Sequence, residues 1–339
     1  MRGSVAGAAT FILLAAGCTS FFVGPDAELD RAGLLEQVWR DLDRHYALFV
    51  VKGVDWGDSL RDAYRGRAAQ STNDSALADV VGAMLAELRD LHVNLFDGSR
   101  LYRYAGYDGR PAFFDPNVVA YYVTDRGGAP NGHMAFGHAA PDIGYVWILH
   151  FNRDGFDIDI DTVLARLADV RALIVDVRHN PGGELSNMLT VAGRFADRDQ
   201  IYGFRQFRNG PGHDDLSSPE PLVVSPLGPR RFSGPVAVLT NRRSVSAAEG
   251  FVLAMRTVPN VTIVGDSTAG GSGLPLAREL PNGWTYRFSA SIWYDVSHAP
   301  FEEIGLAPDV WVRGSADELA ARRDAVLDTA LAVVRRALP

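Results

Sequence analysis

From residue 143 onward, short apolar segments alternate with helical ones, and that alternation restricts the fold more than any other feature. Gly144–Leu149, Ala172–Val177, Pro235–Thr240 and Val261–Val264 are apolar runs too short for ordinary helices. Runs of that length without polar alternation read as strands covered on both faces. Between and after them, spacing predicts helices over Ile160–Val170, Leu185–Phe195 and Ala247–Arg256. Strands alternating with helices imply a largely parallel α/β sheet. A further strand pair is expected within Trp284–Ile292. A closing helix is expected over Asp317–Leu338, where Leu319, Val326, Leu331 and Val334 are spaced helically.

The preceding part reads differently. Leu34–Tyr46 places Leu35, Val38, Leu42 and Tyr46 at helical intervals, and Leu77–Leu91 does so with Leu77, Val80, Val81, Met84, Leu85 and Leu88. Another helix is expected around Trp56–Ala69. Residues 31–96 therefore form a small helical region. Residues 97–142 read as connecting loops with a strand at Val118–Thr124, and 143–339 as the core domain.

Met1–Gly17 has the form of a secretory leader: Arg2 near the start, then a short run of apolar and small residues. It ends in Leu14-Ala15-Ala16-Gly17-Cys18, which is similar to the bacterial lipoprotein box, where the cysteine is lipidated and becomes the new N-terminus. Cys18 is the one cysteine, so an intrachain disulfide, a CxxC pair and a multi-cysteine zinc site are excluded. Residues 18–30 read as a tether. Thr19 rather than an acidic residue points to an outer membrane, with the protein facing the periplasm, and a stable anchor needs more than one acyl chain. The net charge of −8, from 33 bases and 41 acids, disfavours a nucleic-acid partner.

In open α/β sheets reactive groups gather at the carboxyl ends of strands. Asn180-Pro181-Gly182-Gly183 follows one strand, and glycines there expose backbone N–H groups as an oxyanion hole requires. A plain turn leading into a helix explains the same residues. Ser244-Val245-Ser246-Ala247-Ala248-Glu249 follows another strand. A serine at a strand-to-helix turn, with the next N–H at a helix N-terminus, suits a nucleophile. Ser246 to Glu249 is also a capping box, S-x-x-E.

These segments occur in order with Val264-Gly265-Asp266-Ser267-Thr268-Ala269-Gly270 and with Glu302-Glu303-Ile304-Gly305-Leu306-Ala307-Pro308-Asp309. The series resembles the C-terminal processing and tricorn-protease family of serine peptidases, from about Ile143 to the end. The resemblance implies a crotonase-like α/β core behind the helical region, with Ser246 as nucleophile. The processing branch supplies its base from a lysine downstream of the serine. Here that position is Gly271, and the only lysine is Lys52. The tricorn branch uses histidine, and Asp90-Leu91-His92 is similar to its D-x-H motif. A pKa near neutrality suits histidine to this work.

In the tricorn pattern a serine before the histidine and a C-terminal glutamate orient the base. Leu91 replaces that serine. Glu302 matches the glutamate, with Glu303 as a competing alignment and Asp90 as another possible orienter. The resemblance then implies that His92 takes the Ser246 proton during attack on a peptide carbonyl. The N–H groups of Ala247 and of Gly182 or Gly183 would hold the oxyanion. A second class of function stays open: an inactive member that binds a peptide or hydrophobic ligand, as retinoid-binding relatives do. A crotonase-type acyl-CoA enzyme fits the serine motif and leader poorly. Residues 93–142 are too few for the PDZ domain of processing proteases. His45, His133, His138, His150, His213 and His298 show no metal-ligand spacing, so no metal or cofactor is expected. His179, beside the glycine loop, reads as a lining or a surface residue.

Overall fold

A computed structural model describes residues 30–107 and 109–338. The leader, Cys18 and the tether up to Leu29 lie outside the described residues. Three helices build the first region: α1 (Arg31–His45), capped by Asp30, then α3 (Asp58–Ala69) and α4 (Asp74–Ala86), capped by Asn73; a single turn, α2 (Phe49–Lys52), lies between α1 and α3. Their apolar faces meet in one cluster that holds Leu35, Val38, Leu42, Val81 and Leu85.

The core is a seven-stranded sheet. β5 (Ile143–Ile148), β6 (Ala172–Asp176), β9 (Val236–Thr240), β10 (Val261–Gly265) and β14 (Val310–Trp311) run parallel. β4 (Met134–Ala140) and β3 (Thr124–Gly128) extend it antiparallel, which completes the order β14-β10-β9-β6-β5-β4-β3. Crossover helices α6 (Phe156–Arg166), α7 (Leu185–Ala192) and α8 (Ala247–Arg256) contribute to the cluster on one face. Helix α10 (Ala325–Ala337) covers the other with Leu327, Ala330 and Leu331. The expected α/β core behind a helical region is thus the architecture of the chain.

Two details differ from expectation. Val118–Thr124 is no strand: Asp115 caps the N–H of Asn117, Pro116 pre-sets the first helical φ, and Pro116–Val119 (α5) closes a helical turn that buries Val118 and Val119. The strand begins only at Thr124. The C-terminal helix is broken in two, α9 (Ala316–Ala320) and α10, with Arg322 at φ 58° between them and Asp324 re-capping the second. Asp324 also accepts two bonds from buried Arg178, whose other donors hold Asp176 at the end of β6.

A second sheet joins the two regions. β11 (Pro275–Glu279) and β12 (Thr285–Ser289) pair with β1 (Asn94–Phe96) and β2 (Leu101–Arg103) in the order β11-β12-β1-β2. Leu95, Tyr102, Tyr286 and Phe288 point from it into the helical core. The strand pair expected around Trp284–Ile292 is β12 and β13 (Ser291–Tyr294), but they belong to different sheets; β13 pairs with β7 (Gln200–Phe207), which pairs with β8 (Glu220–Val224).

Candidate active site

Ser246 sits where β9 hands over to α8, with φ 61° and ψ −122°. That conformation costs a non-glycine residue about 1–3 kcal/mol and persists only where the surroundings enforce it. The enforcement is visible. Glu249 is buried and its carboxylate accepts four bonds: from the N–H of Ser246 at 3.0 Å, the Thr268 hydroxyl at 2.6 Å, and the N–H groups of Gly270 at 2.8 Å and Gly271 at 2.9 Å. Burial raises the Glu249 pKa, and these donors oppose the rise. The glutamate of the capping box therefore ties the serine turn to the loop that follows β10.

The glycine loop packs directly against this turn. The Asn180 carbonyl accepts the Val245 N–H, and the Asn180 side chain bonds the Ile148 carbonyl. A Cβ on Gly182, at φ 87°, would stand 2.7 Å from the Ser246 Cβ and 2.9 Å from the Ala247 N, so only glycine lets the two loops approach. The Gly182 N–H donates to Asn180 Oδ1 at 2.9 Å, which takes it out of the pair of candidate oxyanion donors. The N–H groups of Gly183 and Ala247 carry no such bond among the described residues.

His92 arrives from the other region, just before β1. Its Nε2 lies 3.0 Å from Ser246 Oγ, and its Nδ1 lies 3.1 Å from the Ser272 carbonyl oxygen. A carbonyl only accepts, so Nδ1 carries the proton and Nε2 turns its lone pair to the serine. Burial lowers the His92 pKa; Asp90 opposes this, while Arg287 and Lys52 add to it. The ring is thereby kept neutral and proton-accepting near neutral pH.

Glu302 does not touch His92. Its Oε2 accepts the Ser272 N–H at 2.7 Å and the Ser272 hydroxyl at 2.8 Å, so one serine links the carboxylate to the imidazole. The position left by Leu91 is filled from a different segment. Asp90 supports the backbone instead: its Oδ1 accepts the His92 N–H at 2.7 Å and stands 4.0 Å from Nδ1. Glu303 points away, to Lys52 at 3.2 Å and Arg89 at 3.1 Å.

Behind Glu302 stands Lys52, the chain's one lysine. Its buried ammonium lies 2.8 Å from Glu302 Oε1, and it donates to the Arg89 carbonyl at 3.2 Å. Burial works against the Lys52 charge, and Glu302 and Asp90 outweigh it, so its pKa is raised. Burial and then Asp90 push Glu302 up to about 8, with Lys52 and Ser272 pulling it back.

Sequence reasoning did not single out Ser272 or assign a role to Lys52. A lysine alone among 32 arginines was the available signal for the latter. The former joins the relay through its main-chain carbonyl, which leaves no mark in sequence. His179 is not in this cleft: its Nε2 bonds the Ala112 carbonyl and its ring meets Phe114 edge-on.

Ser246 and His92 open into a cleft of about 620 Å³. Leu91, Val245, Leu274 and Trp293 give it apolar walls; Arg103, Arg287 and Glu184 supply charge.

The model of peptidase family S41 matches residues 142–312, and that of the tricorn protease C1 domain matches residues 27–86. A crystal structure of a candidate peptidase from Parabacteroides merdae is 36% identical, covers 91% of this chain and 97% of its own, and superposes with a TM-score of 0.82. The carboxyl-terminal-processing peptidase 3 of Arabidopsis thaliana chloroplasts is 28% identical over 311 residues, 89% of this chain and 57% of its own length. The carboxy-terminal processing protease CtpA of Bacillus subtilis is 27% identical over 140 residues, 41% of this chain and 28% of its own. This chain thus spans less than two thirds of either curated relative.

Proposed function

Because the chain belongs to peptidase family S41, we propose that it hydrolyses peptide bonds through an acyl-enzyme on Ser246, with His92 as base. One observation carries the reading: Ser246 Oγ lies 3.0 Å from His92 Nε2, at the end of a buried chain that runs through Ser272 and Glu302 to Lys52. A serine hydroxyl attacks poorly without such a neighbour.

In this mechanism Oγ attacks the peptide carbonyl carbon while Nε2 takes its proton. The carbonyl oxygen becomes an oxyanion, facing the Gly183 and Ala247 N–H groups. Each such donor is worth roughly 2.7–4 kcal/mol. The imidazolium returns its proton to the leaving amine, and the C–N bond breaks. Water, deprotonated by the same nitrogen, then releases the acid and restores Ser246. As the ring becomes cationic, Nδ1–H leans on the Ser272 carbonyl, and the Glu302–Asp90 charge, balanced by Lys52, stabilises it.

A fluorophosphonate phosphonylates only an activated serine, so it tests the reading without a known substrate. The wild-type chain is expected to label at Ser246, and Ser246→Ala and His92→Ala are expected not to. A folded wild type that stays unlabelled would point instead to a binding protein on the same fold. We also propose that Cys18 carries a lipid anchor in the bacterial envelope, supported by the Leu14–Cys18 box. Radiolabelled palmitate should enter the expressed protein and be lost in Cys18→Ser; equal incorporation in both would sink that proposal.

A further inference from the structure

Strands β9, β10 and β14 lie side by side and run parallel, and their carboxyl ends open into a second cavity of about 530 Å³. Crevices at such strand ends are where open α/β sheets bind ligands. The described residues that line this cavity are all different from those that line the cleft of Ser246. Phe113, Ile304, Val312 and Val326 give it apolar walls, while Arg110 and Arg242 bring guanidinium groups to it. A space of this size holds a small organic ligand.

The two guanidinium groups stand next to each other. Arg242 Nη1 donates to the carbonyls of Thr268 at 3.3 Å and Ile304 at 2.9 Å. Arg110 donates to the neighbouring carbonyl of each pair, through Nη1 to Ala269 at 2.5 Å and through Nη2 to Glu303 at 3.5 Å. Carbonyls are neutral dipoles, so these bonds fix the two cations in place without cancelling either charge. Burial lowers the Arg242 pKa; Asp266 opposes this, and Arg110 and then Arg313 add to it. The carboxylates of the described lining are engaged with other cations. Asp266 accepts from Arg313 at 2.8 and 3.1 Å and lies 3.8 Å from Arg242, and Glu303 turns to Lys52 and Arg89. Asn241 adds a donor: the residue is 5% exposed, lines the same cavity, and its Nδ2 has no hydrogen-bond partner among the described residues. Buried donors are nearly always paired. Adjacent cations and an unpaired donor ask for the same thing, an acceptor oxygen that carries negative charge.

We infer that this cavity is a second ligand site, which takes a small carboxylate with an apolar body: the carboxylate bridges Arg110 and Arg242, and the body lies against Phe113, Ile304 and Val312. The planar guanidinium presents N–H groups in a fork that matches the two oxygens of a carboxylate. The apolar walls separate such a ligand from inorganic phosphate, which would leave them in contact with water. The site is independent of the peptidase reading, since its residues take no part in the chemistry at Ser246. It does share a loop with the nucleophile: Thr268 and Ala269, held by the two arginines, lead into Gly270 and Gly271, whose N–H groups hold Glu249.

Isothermal titration calorimetry on the full chain, near neutral pH and at fixed ionic strength, tests the inference. The probe is N-acetyl-phenylalanine, compared with its neutral amide, N-acetyl-phenylalaninamide, and with inorganic phosphate. The acid is expected to bind about tenfold more tightly than the amide, the order expected of a charge-assisted hydrogen bond, and more tightly than phosphate. Arg110→Gln should weaken the acid about tenfold. Ala112→Trp fills the cavity without altering a charge and should abolish binding, so a folding defect in one variant leaves the other to decide. Absence of binding by the acid, equal binding of acid and amide, or phosphate binding as tightly as the acid would overturn the inference. So would wild-type affinity in both variants, which would place the ligand elsewhere, the cleft of Ser246 included. The heat of binding does not depend on a reactive serine, so failure of the peptidase reading would show in fluorophosphonate labelling and leave this result standing.

Discussion

Replacing Lys52 with methionine isolates the least expected part of the site. The substitution keeps the buried stem and removes an ammonium 2.8 Å from Glu302 and 3.2 Å from Glu303. Glu303 keeps Arg89, so Glu302 is the group left with Asp90 and no cation. Breaking a buried pair costs roughly 3–5 kcal/mol when the remaining charge stays. A carboxyl can escape by holding its proton, and the sign follows from that. Glu302 is raised to about 8 and Lys52 pulls it down, so Lys52→Met raises it further. A raised acid contributes stability at low pH and loses it as pH climbs through the folded-state pKa. That loss ends near pH 8 in the wild type and continues above it in the variant. The gap in stability should therefore be small at pH 6 and widen above pH 8 by about 1 kcal/mol per pH unit. Each kcal/mol should appear as roughly 2–4 °C in Tm. The labelling rate gives a second readout. Lys52 is among the groups that lower His92, so its removal shifts the acid limb of the rate profile to higher pH. Lys52→Arg should restore both behaviours. A Tm difference equal at pH 6 and pH 9, with an unmoved acid limb, would refute this account of Lys52.

Two further changes probe the scaffold. Gly182→Ala forces a Cβ to within 2.7 Å of the Ser246 Cβ at a positive φ; labelling of Ser246 should fall on the order of a hundredfold, as expected of a displacement near 1 Å, with Tm only modestly lowered. Wild-type labelling in this variant would mean that the loop approach has no bearing on the nucleophile. Arg178→Met leaves Asp176 and Asp324 buried without their shared cation and should cost about 3–5 kcal/mol in urea unfolding, with Arg178→Lys a poor rescue because it lacks the planar fork. An unchanged urea midpoint would show that the C-terminal helix is held by its apolar face alone.

The legible parts of this protein were the local ones. The strand, turn and helix around Ser246 lie within one stretch of chain, so apolar runs and the S-x-x-E pattern locate them. Helix α8 begins and ends where the periodicity predicts, Ala247–Arg256. Strand β4 was invisible because Met134–Ala140 contains no β-branched residue; it forms on the open edge of β5. Val118–Thr124 misled for the opposite reason: valines and tyrosines favour a strand, and a proline with an aspartate cap overrides them locally. The D-x-H resemblance pointed to His92, which lies 3.0 Å from Ser246, but its Nδ1 partner was not readable. The link from imidazole to carboxylate passes through a main-chain oxygen 180 residues away, and no residue type is demanded by a carbonyl.

That indirect link has a chemical consequence. A carboxylate touching Nδ1 would place a full negative charge against the forming imidazolium. Here the first contact is a neutral carbonyl dipole, with the charge one serine further away. The carbonyl raises the His92 pKa less than a touching carboxylate would, so burial, which lowers it, prevails. In the proposed mechanism a weaker base still serves if the developing charge is stabilised at the moment of transfer, a task that would fall to the Glu302–Asp90 pair with its Lys52 counter-ion. His92 and Lys52 come from the helical region; Ser246, Ser272 and Glu302 come from the sheet core. Neither region holds a complete relay. The four-stranded sheet that zips β1 and β2 to β11 and β12 therefore sets the distance on which the proposed mechanism depends, since a slip in the pairing of Asn94 with Arg287 would draw His92 away from Ser246.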